Sequence, residues 1–234
     1  MDETSRQNIT DRILFLETKK HVVPNRWGYE RAPDQPRPRT LQSHLPYHFY
    51  GDRVAEAGGK IVYIMRNPKD AAVSRFFYCH ALDVRGELER LDLRQFIPLF
   101  FETDAIGFGN VFDHFTSFWS RRARPHLLIV FYEDLIADKA TEVRKIASFL
   151  DQTLTDDQVA RIVAATSFGA MATNSSARML KCELEAGLVR ADFDFYRKGQ
   201  IGNWKNHFTV AESEAADAII KTRLSSQGLY FRYD

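Results

Sequence analysis

The sequence of 234 residues has little cysteine and almost no net charge. Its two cysteines, Cys79 and Cys182, are too few and too isolated for a disulfide framework, which favours a reducing compartment. No CxxC or HExxH spacing suggests a metal site, so we expect no metal cofactor. The 32 Lys and Arg residues nearly cancel the 31 Asp and Glu residues, for a formal charge of +1. This balance argues against a nucleic-acid partner bound through counterion release, so any anion site must be local.

Long hydrophobic runs are also missing. The apolar run LLIVFY, at residues 127–132, is far shorter than the roughly 20 residues of a membrane span. The polar opening MDETSRQNITDR does not resemble a signal peptide. We therefore expect a cytoplasmic protein with no membrane partner.

The composition is sufficient for a large hydrophobic core. Apolar residues make up 44% and aromatic residues 13% of the chain, and there is no internal repeat. We predict a single domain over residues 1–234.

Two segments predict strands buried on both faces, each followed by a helix. KIVYIM, at residues 60–65, is almost continuously apolar, and it meets Asn67 as a possible N-cap and Pro68 as a possible first helical residue. The segment HLLIVFYEDL, at residues 126–135, is followed by apolar residues at helical spacing from Ala140 to Leu150. Strands that alternate with helices predict an α/β fold with a parallel sheet.

Other segments complete this prediction. LDLRQFIPLFF and NVFDHFTSFWSRR have helical periodicity, although we expect Pro98 to end or kink the first helix. Capping-box spacing at Thr155 with Gln158, and at Thr209 with Glu212, predicts two further helix starts. Residues 22–46 are rich in Pro and Arg and are predicted to be mostly loop.

Two turns that are distant in the chain carry cations suited to a phosphate. Arg66 stands where a strand turns into a helix, so a guanidinium joins free backbone N–H groups and a positive dipole end. The hydroxyl of Ser74 lies on the helix face above that turn. By itself the Arg66 turn has a purely structural interpretation. Arg197, Lys198 and Gly199 add a donor fork, a point charge and an approachable backbone, which favours one phosphate held from two sides.

Four ordered segments resemble the cytosolic sulfotransferase family. RKGQIGNWKNHFT at residues 197–209 is similar to the family signature RKGxxGDWKNxFT, with Asn203 where Asp is usual. RNPKDAAVS at residues 66–74, FYEDL at 131–135 and TSF at 166–168 also match family segments. The resemblance implies an α/β three-layer sandwich with a central parallel sheet, similar to P-loop NTPases.

The resemblance also implies a cosubstrate and its contacts. The family transfers a sulfuryl group from 3′-phosphoadenosine 5′-phosphosulfate (PAPS) to a hydroxyl group. Residues expected to bind the nucleotide by this likeness are Arg66, Ser74, Tyr132, Thr166, Ser167, Phe168, Arg197, Lys198 and Gly199. RPRTLQSHLPYHF at residues 37–49 resembles the family segment PRxxKTHLP, which makes His44 the expected general base. A neutral imidazole can take a proton at physiological pH.

Two departures from the family pattern bear on activity. Gln42 stands where the family has a catalytic Lys, and a neutral amide cannot offset developing charge. The family's first strand, its YPKSGTTW-like loop and the following helix are not found before the RILFLE segment at residues 12–17. Either the chain is part of a longer product, or it keeps the 3′ end of the nucleotide site without half of the 5′ end.

The resemblance extends to a dimer motif and an acceptor class. Lys205, Thr209, Val210 and Glu214 match the family's KxxxTVxxxE motif and imply a homodimer, although a helix cap also accounts for Thr209. The expected acceptor is a small hydroxylated apolar compound such as a phenol or a sterol. Phe76, Phe77 and Tyr78 could line its pocket or serve as helix core.

The sequence leaves two functions open. The first is a PAPS-dependent sulfotransferase, and the second is an inactive module that binds 3′-phosphoadenosine and dimerises. A P-loop kinase is excluded because GxxxxGK[ST] does not occur in the chain.

Overall fold

The computed structural model describes residues 13–17, 27–82, 91–104, 108–174, 190 and 196–234. Cys182 and the opening segment at residues 1–12 lie outside the described residues. The strands of the described ranges are β1 (Ile13–Phe15), β2 (Thr40–Gln42), β3 (Ile61–Met65) and β4 (Leu127–Phe131). The α-helices are α1 (Gly28–Arg31), α2 (Gly51–Glu56), α3 (Pro68–Leu82), α4 (Leu93–Glu102), α5 (Val111–Trp119), α6 (Tyr132–Ala137), α7 (Lys139–Phe149), α8 (Asp156–Ala165), α9 (Phe168–Thr173) and α10 (Val210–Leu224).

The strands form two parallel pairs. Strand β1 pairs with β2, and β3 pairs with β4 over a register that runs from Ile61 opposite Leu127 to Met65 opposite Phe131. The predicted α/β class with parallel strands is confirmed. Within the described ranges the parallel strands are divided between two two-stranded sheets.

The turn from β3 into α3 forms as its sequence predicts. The side-chain oxygen of Asn67 accepts a hydrogen bond from the backbone N–H of Asp70 at 2.8 Å, which is the expected N-cap contact. Pro68 is the first helical residue, where its missing N–H costs nothing. The helix start is therefore fixed directly behind the last residues of β3.

An aromatic core packs α3, α4, α5 and α10 against β3. Its buried members include Met65, Phe96, Phe101, Phe112 and Leu224. Burying a Phe, Met or Leu side chain contributes about 1.5–3 kcal/mol each. This core holds the carboxyl end of β3 and the N-terminus of α3 in place.

Both predicted capping boxes are confirmed, and two other expectations are corrected. Helix α4 does not end at Pro98 but continues to Glu102, because Phe96, Ile97, Phe100 and Phe101 are buried on either side of it, and the alternative of a kink at Pro98 stays a prediction. The prediction of mostly loop at residues 22–46 is wrong for Gly28–Arg31 and Ala32–Asp34, which form an α-helix and a 3₁₀-helix, and for Thr40–Gln42, to which parallel pairing with β1 gives a partner. Among the helices that the structure describes, none is long and apolar enough to cross a membrane.

Candidate functional site

Arg66 follows β3 directly, and several contacts hold its guanidinium. Nη2 donates to the backbone oxygen of Gln200 at 3.1 Å and lies 3.8 Å from Oδ2 of Asp70. The guanidinium lies 4.4 Å from the ring centroid of Tyr132. Nε of Arg66 is buried without a hydrogen-bond partner among the described residues. The Arg66 side chain is thus held by its described neighbours.

Asp70 joins the Arg66 turn to the glycine-rich turn of the RKG segment. Its side chain is buried, and its Oδ2 accepts from the backbone N–H of Gly202 at 2.8 Å while Oδ1 accepts from that of Trp204 at 2.9 Å. Oδ2 also accepts from Nδ2 of Asn67 at 2.9 Å. One carboxylate therefore binds both cationic turns, which lie more than 130 residues apart in the chain.

Glu133 adds a second buried carboxylate beneath the site. Its Oε1 accepts from the backbone N–H of Asn67 at 2.8 Å and from Nδ2 of Asn67 at 3.0 Å. Because Glu133 lies in the first turn of α6, directly after β4, these bonds tie the carboxyl ends of β3 and β4 together.

The RKG turn approaches α9 closely at Gly199. Its φ is +63°, and a Cβ at this position would meet Cδ2 of Phe168 at 2.2 Å. Arg197 lies with its guanidinium 4.5 Å from the ring centroid of Phe77, and its Nη1 is 3.5 Å from Oδ1 of Asn203. Burial lowers the pKa of Arg197, and the nearby positive charge of Arg66 lowers it further. Two guanidiniums with this mutual repulsion favour a bound anion.

The structure brings some of the predicted nucleotide residues into direct contact with one another. Arg66 contacts Tyr132, and Gly199 lies against Phe168. Ser74 is exposed on α3, and Lys198 is exposed in its turn.

Thr166 and Ser167 make helix-end contacts. The hydroxyl of Thr166 donates to the Ile162 carbonyl at 2.7 Å, and that of Ser167 accepts from the Ala170 N–H at 3.3 Å. Both hydroxyls therefore help to shape the segment that leads into Phe168.

The backbone of His44 is hydrogen-bonded to the side chains of Glu17 and His114. Oε1 of Glu17 accepts from the His44 backbone N–H at 2.5 Å and lies 3.0 Å from Nδ1 of the same residue. The His44 carbonyl accepts from Nε2 of His114 at 2.8 Å, and Nδ1 of His114 is 2.7 Å from the hydroxyl of Tyr63. The His44 side chain remains 44% exposed, so its ring is accessible while its backbone is fixed.

Aromatic rings connect His44 to α3. The imidazole stacks between Phe15 and Phe108, with centroid distances of 5.3 Å and 4.5 Å. The guanidinium of Arg75 lies 5.5 Å from the Phe108 ring centroid. Since Arg75 follows Ser74, the predicted base and the predicted phosphate helix border the same region.

The remaining predicted residues are the aromatic residues of the expected acceptor pocket and those of the dimer motif. Phe76 packs against Phe96 and the core, at a centroid distance of 5.4 Å, whereas Tyr78 lies beneath the guanidinium of Arg75. The dimer-motif residues are all exposed, and Val210 is 76% exposed. Lys205 forms an ion pair with Asp234, and Thr209 caps α10.

Sequence reasoning missed the buried carboxylates that organise the site. Asp70 lies inside the RNPKD segment and Glu133 inside FYEDL, yet neither received a role. The only local signal is their position in the first turn of a helix, where an acidic side chain is stabilised by the helix dipole. In the described part of the chain, no group of His, Cys, Asp or Glu side chains could hold a metal ion.

Comparisons with known proteins agree on one family. The model of the sulfotransferase domain matches residues 2–228. The chain is 34% identical over 198 residues to the 3-alpha-hydroxysteroid sulfotransferase of Cavia porcellus, covering 85% of this chain and 67% of the relative. It is also 34% identical over 224 residues to sulfotransferase 1E1 of Homo sapiens, covering 96% of this chain and 74% of that protein.

Solved structures give the same fold. Retinol dehydratase in complex with androsterone and the inactive cofactor PAP aligns with a TM-score of 0.83 at 23% identity, over 98% of this chain and 74% of that one. Mouse sulfotransferase SULT7A1 complexed with PAP aligns with a TM-score of 0.73 at 27% identity, over 92% of this chain and 78% of that one.

Proposed function

The chain belongs to the sulfotransferase domain family, and from this we propose that it transfers a sulfuryl group from PAPS to a hydroxyl group of a small apolar acceptor. The observation that carries the proposal is the pair of cationic turns joined through Asp70. A sulfotransferase named for a hydroxysteroid is among the relatives, which supports an acceptor of that chemical class.

The cationic turns supply what a nucleotide 3′-phosphate requires. Nε of Arg66 has no hydrogen-bond partner among the described residues, and Arg197 is half-buried beside Arg66 with a pKa lowered by burial and by the Arg66 charge. A phosphate dianion would accept from both guanidiniums and relieve their repulsion. Ser74, Lys198 and the Gly199 backbone would complete this contact. Tyr132, Thr166, Ser167 and Phe168 would contact the adenosine.

His44 would act as general base toward the acceptor. When bound, PAPS supplies an activated sulfuryl group whose bond to the 5′-phosphate breaks as the acceptor oxygen attacks sulfur. The accessible imidazole of His44 would take the proton that the hydroxyl loses. General-base help of this kind contributes about a hundred- to ten-thousand-fold to rate.

A second candidate function is nucleotide binding without turnover. Gln42 favours it, because the position carries a neutral amide where the family has a catalytic Lys. Under this alternative the cradle at Arg66 and Arg197 would still bind a 3′-phosphorylated nucleotide.

Two substitutions test the proposed division of roles. Arg197→Ala should weaken nucleotide binding measured by calorimetry, because it removes half of the guanidinium pair. His44→Ala should abolish sulfuryl transfer from radiolabelled donor and leave nucleotide affinity nearly unchanged. Equal loss of affinity in both variants would contradict these roles, and full turnover by His44→Ala would remove the general base from the proposal.

The exposed Val210 supports a homodimer through Lys205, Thr209, Val210 and Glu214. Val210→Asp should shift the sedimentation coefficient to that of a monomer, because it places a charge where an apolar contact would form. Leu150→Asp is the matched control, since it places the same charge on another exposed aliphatic side chain outside the motif. A dimer that survives Val210→Asp would exclude this surface.

A further inference from the structure

We propose that Glu17 is a positioning residue that holds His44 in the one tautomer able to act as a base at Nε2. The inference rests on the proposed function, in which His44 takes the acceptor proton. It concerns hydrogen bonds within this chain, so its main test requires no turnover.

The Glu17 carboxylate contacts two atoms of His44 with one oxygen. Oε1 accepts from the backbone N–H at 2.5 Å and lies 3.0 Å from Nδ1 of the ring. The Glu17 side chain is only 13% exposed. Burial raises the pKa of Glu17, but the hydrogen bonds from the His44 side chain and backbone outweigh it, and the pKa is lowered overall. The carboxylate is therefore ionised at neutral pH and can only accept hydrogen bonds.

The Glu17 carboxylate determines which ring nitrogen of His44 carries the hydrogen. In a neutral imidazole one nitrogen carries hydrogen and the other carries a lone pair, and the partner of one nitrogen decides the choice. Because Nδ1 faces a carboxylate, Nδ1 carries the hydrogen. Nε2 of His44 is left with the lone pair that a general base requires.

The other side of the His44 backbone is fixed as well. Nε2 of His114 donates to the His44 carbonyl at 2.8 Å, so Nδ1 of His114 is the acceptor for the Tyr63 hydroxyl at 2.7 Å. The stacked rings of Phe15 and Phe108 restrict rotation of the imidazole. With its N–H, its carbonyl and its ring all held, His44 has little freedom to turn Nδ1 away from Glu17.

The negative charge of Glu17 also matters when His44 becomes protonated. Oε2 is buried and has no hydrogen-bond partner among the described residues. When Nε2 takes the proton from the acceptor hydroxyl, the new oxygen–sulfur bond forms and the sulfur–oxygen bond to the phosphate breaks. The imidazolium then faces the carboxylate, which stabilises it as a buried acidic partner stabilises histidine in other enzymes.

The test is nitrogen-15 NMR of the His44 ring in the full chain, assigned by comparison with His44→Gln. We expect the wild type to carry hydrogen at Nδ1. Glu17→Leu should give a mixture of both tautomers, whereas Glu17→Gln should keep the Nδ1–H form, because the amide oxygen still accepts. A single Nδ1–H tautomer in Glu17→Leu, or hydrogen at Nε2 in the wild type, would overturn the proposal.

Kinetics separate positioning from a general loss of structure. Glu17→Gln keeps the tautomer but loses the charge, so kcat should fall by about tenfold or more while KM for the donor stays unchanged. Glu17→Leu should lower kcat by about a hundredfold or more, which is the lower end of the rate contribution expected of a general base. Asp157→Leu is the control, because Asp157 is 76% exposed on α8 and pairs with Arg161. An equal rise in KM and fall in kcat for Glu17→Gln would argue for a structural role only.

Should the wild type show no transfer while its His44 spectrum and the variants behave as expected, the proposed function fails and the positioning by Glu17 stands. If transfer occurs and His44 shows no tautomer preference, the positioning by Glu17 fails and the proposed function stands.

Discussion

Gly199 shows how one residue satisfies two requirements of the RKG turn. Its φ of +63° is unfavourable for residues with a side chain, and the Phe168 ring occupies the space that a Cβ would need. Gly228 has a nearly equal φ of +64° but nothing within 4 Å of a Cβ. The two glycines therefore separate the cost of backbone conformation from the cost of crowding.

Gly199→Ala should destabilise the protein more than Gly228→Ala does. Each variant loses about 1–2 kcal/mol from its left-handed backbone, and crowding against Phe168 adds about 1–3 kcal/mol at position 199. Urea denaturation of both variants gives the comparison. Equal losses would mean that the turn does not lie against α9 as described.

His114 makes stability depend on pH. Burial lowers its pKa from the ordinary value of 6.5, and the bond it donates to the His44 carbonyl opposes this only in part. A histidine whose pKa is lower in the folded state gains protons on unfolding, so its stabilising effect is present above pH 6.5 and is lost as pH falls through the folded value.

His114→Gln should therefore reduce the free energy of unfolding more at about pH 7.5 than at about pH 5.5. His207 also has a pKa lowered by burial, but it is present in both proteins and cancels in the difference. Urea denaturation at the two pH values measures the effect. A difference that does not change with pH would contradict the buried, neutral state of His114.

Single residues also mark where sequence reasoning stops. Arg66, Arg197 and His44 could be selected because their neighbours in the chain match a pattern. Asp70, Glu133 and Glu17 could not be given roles, because each of them has a hydrogen-bond partner between 27 and 134 residues away that becomes visible only in the fold. The hydrogen bonds of these buried carboxylates depend on the tertiary structure.

Among the elements, α3 and the RKG turn depend on each other through Asp70. Asp70→Asn keeps one acceptor oxygen and replaces the other with a donor, so Gly202 or Trp204 loses its partner. A hydrogen bond to a charged group contributes about 1.5–3 kcal/mol, and we expect a loss of roughly that size in the free energy of unfolding. Affinity for the nucleotide should fall as well, since the two turns are no longer held together.

Asp113→Asn provides the comparison for this variant. Asp113 is 72% exposed and pairs with Arg223, so its substitution should cost less than about 1 kcal/mol. Chemical denaturation and calorimetry on both variants decide the matter. Unchanged nucleotide affinity in a folded Asp70→Asn protein would show that the turns keep their arrangement without the carboxylate.

Helices were more predictable than strands because their signals are local. The capping boxes at Thr155 and Thr209 and the N-cap at Asn67 each involve residues three apart, and all three formed. The strand Thr40–Gln42 has only three residues, and its pairing with Ile13–Phe15 is a contact that its own sequence does not encode. Burial likewise overrides the helix-ending tendency of Pro98.

For the whole molecule, the α/β class follows from strands that alternate with helices, and the family follows from the order of matching segments. Two parallel strand pairs and an aromatic core place the ends of β3 and β4 beside the RKG turn. The acceptor class and the dimer depend on surfaces whose partners are separate molecules, and a single chain holds less information about them.

The measurement that tests the central claim most directly is calorimetric titration of the purified chain with adenosine 3′,5′-bisphosphate and, separately, with 5′-AMP. Two guanidiniums at a 3′-phosphate should favour the bisphosphate by at least about tenfold, or about 1.4 kcal/mol. Equal affinities, or no binding to a folded sample, would contradict the assignment of Arg66 and Arg197 to the 3′-phosphate.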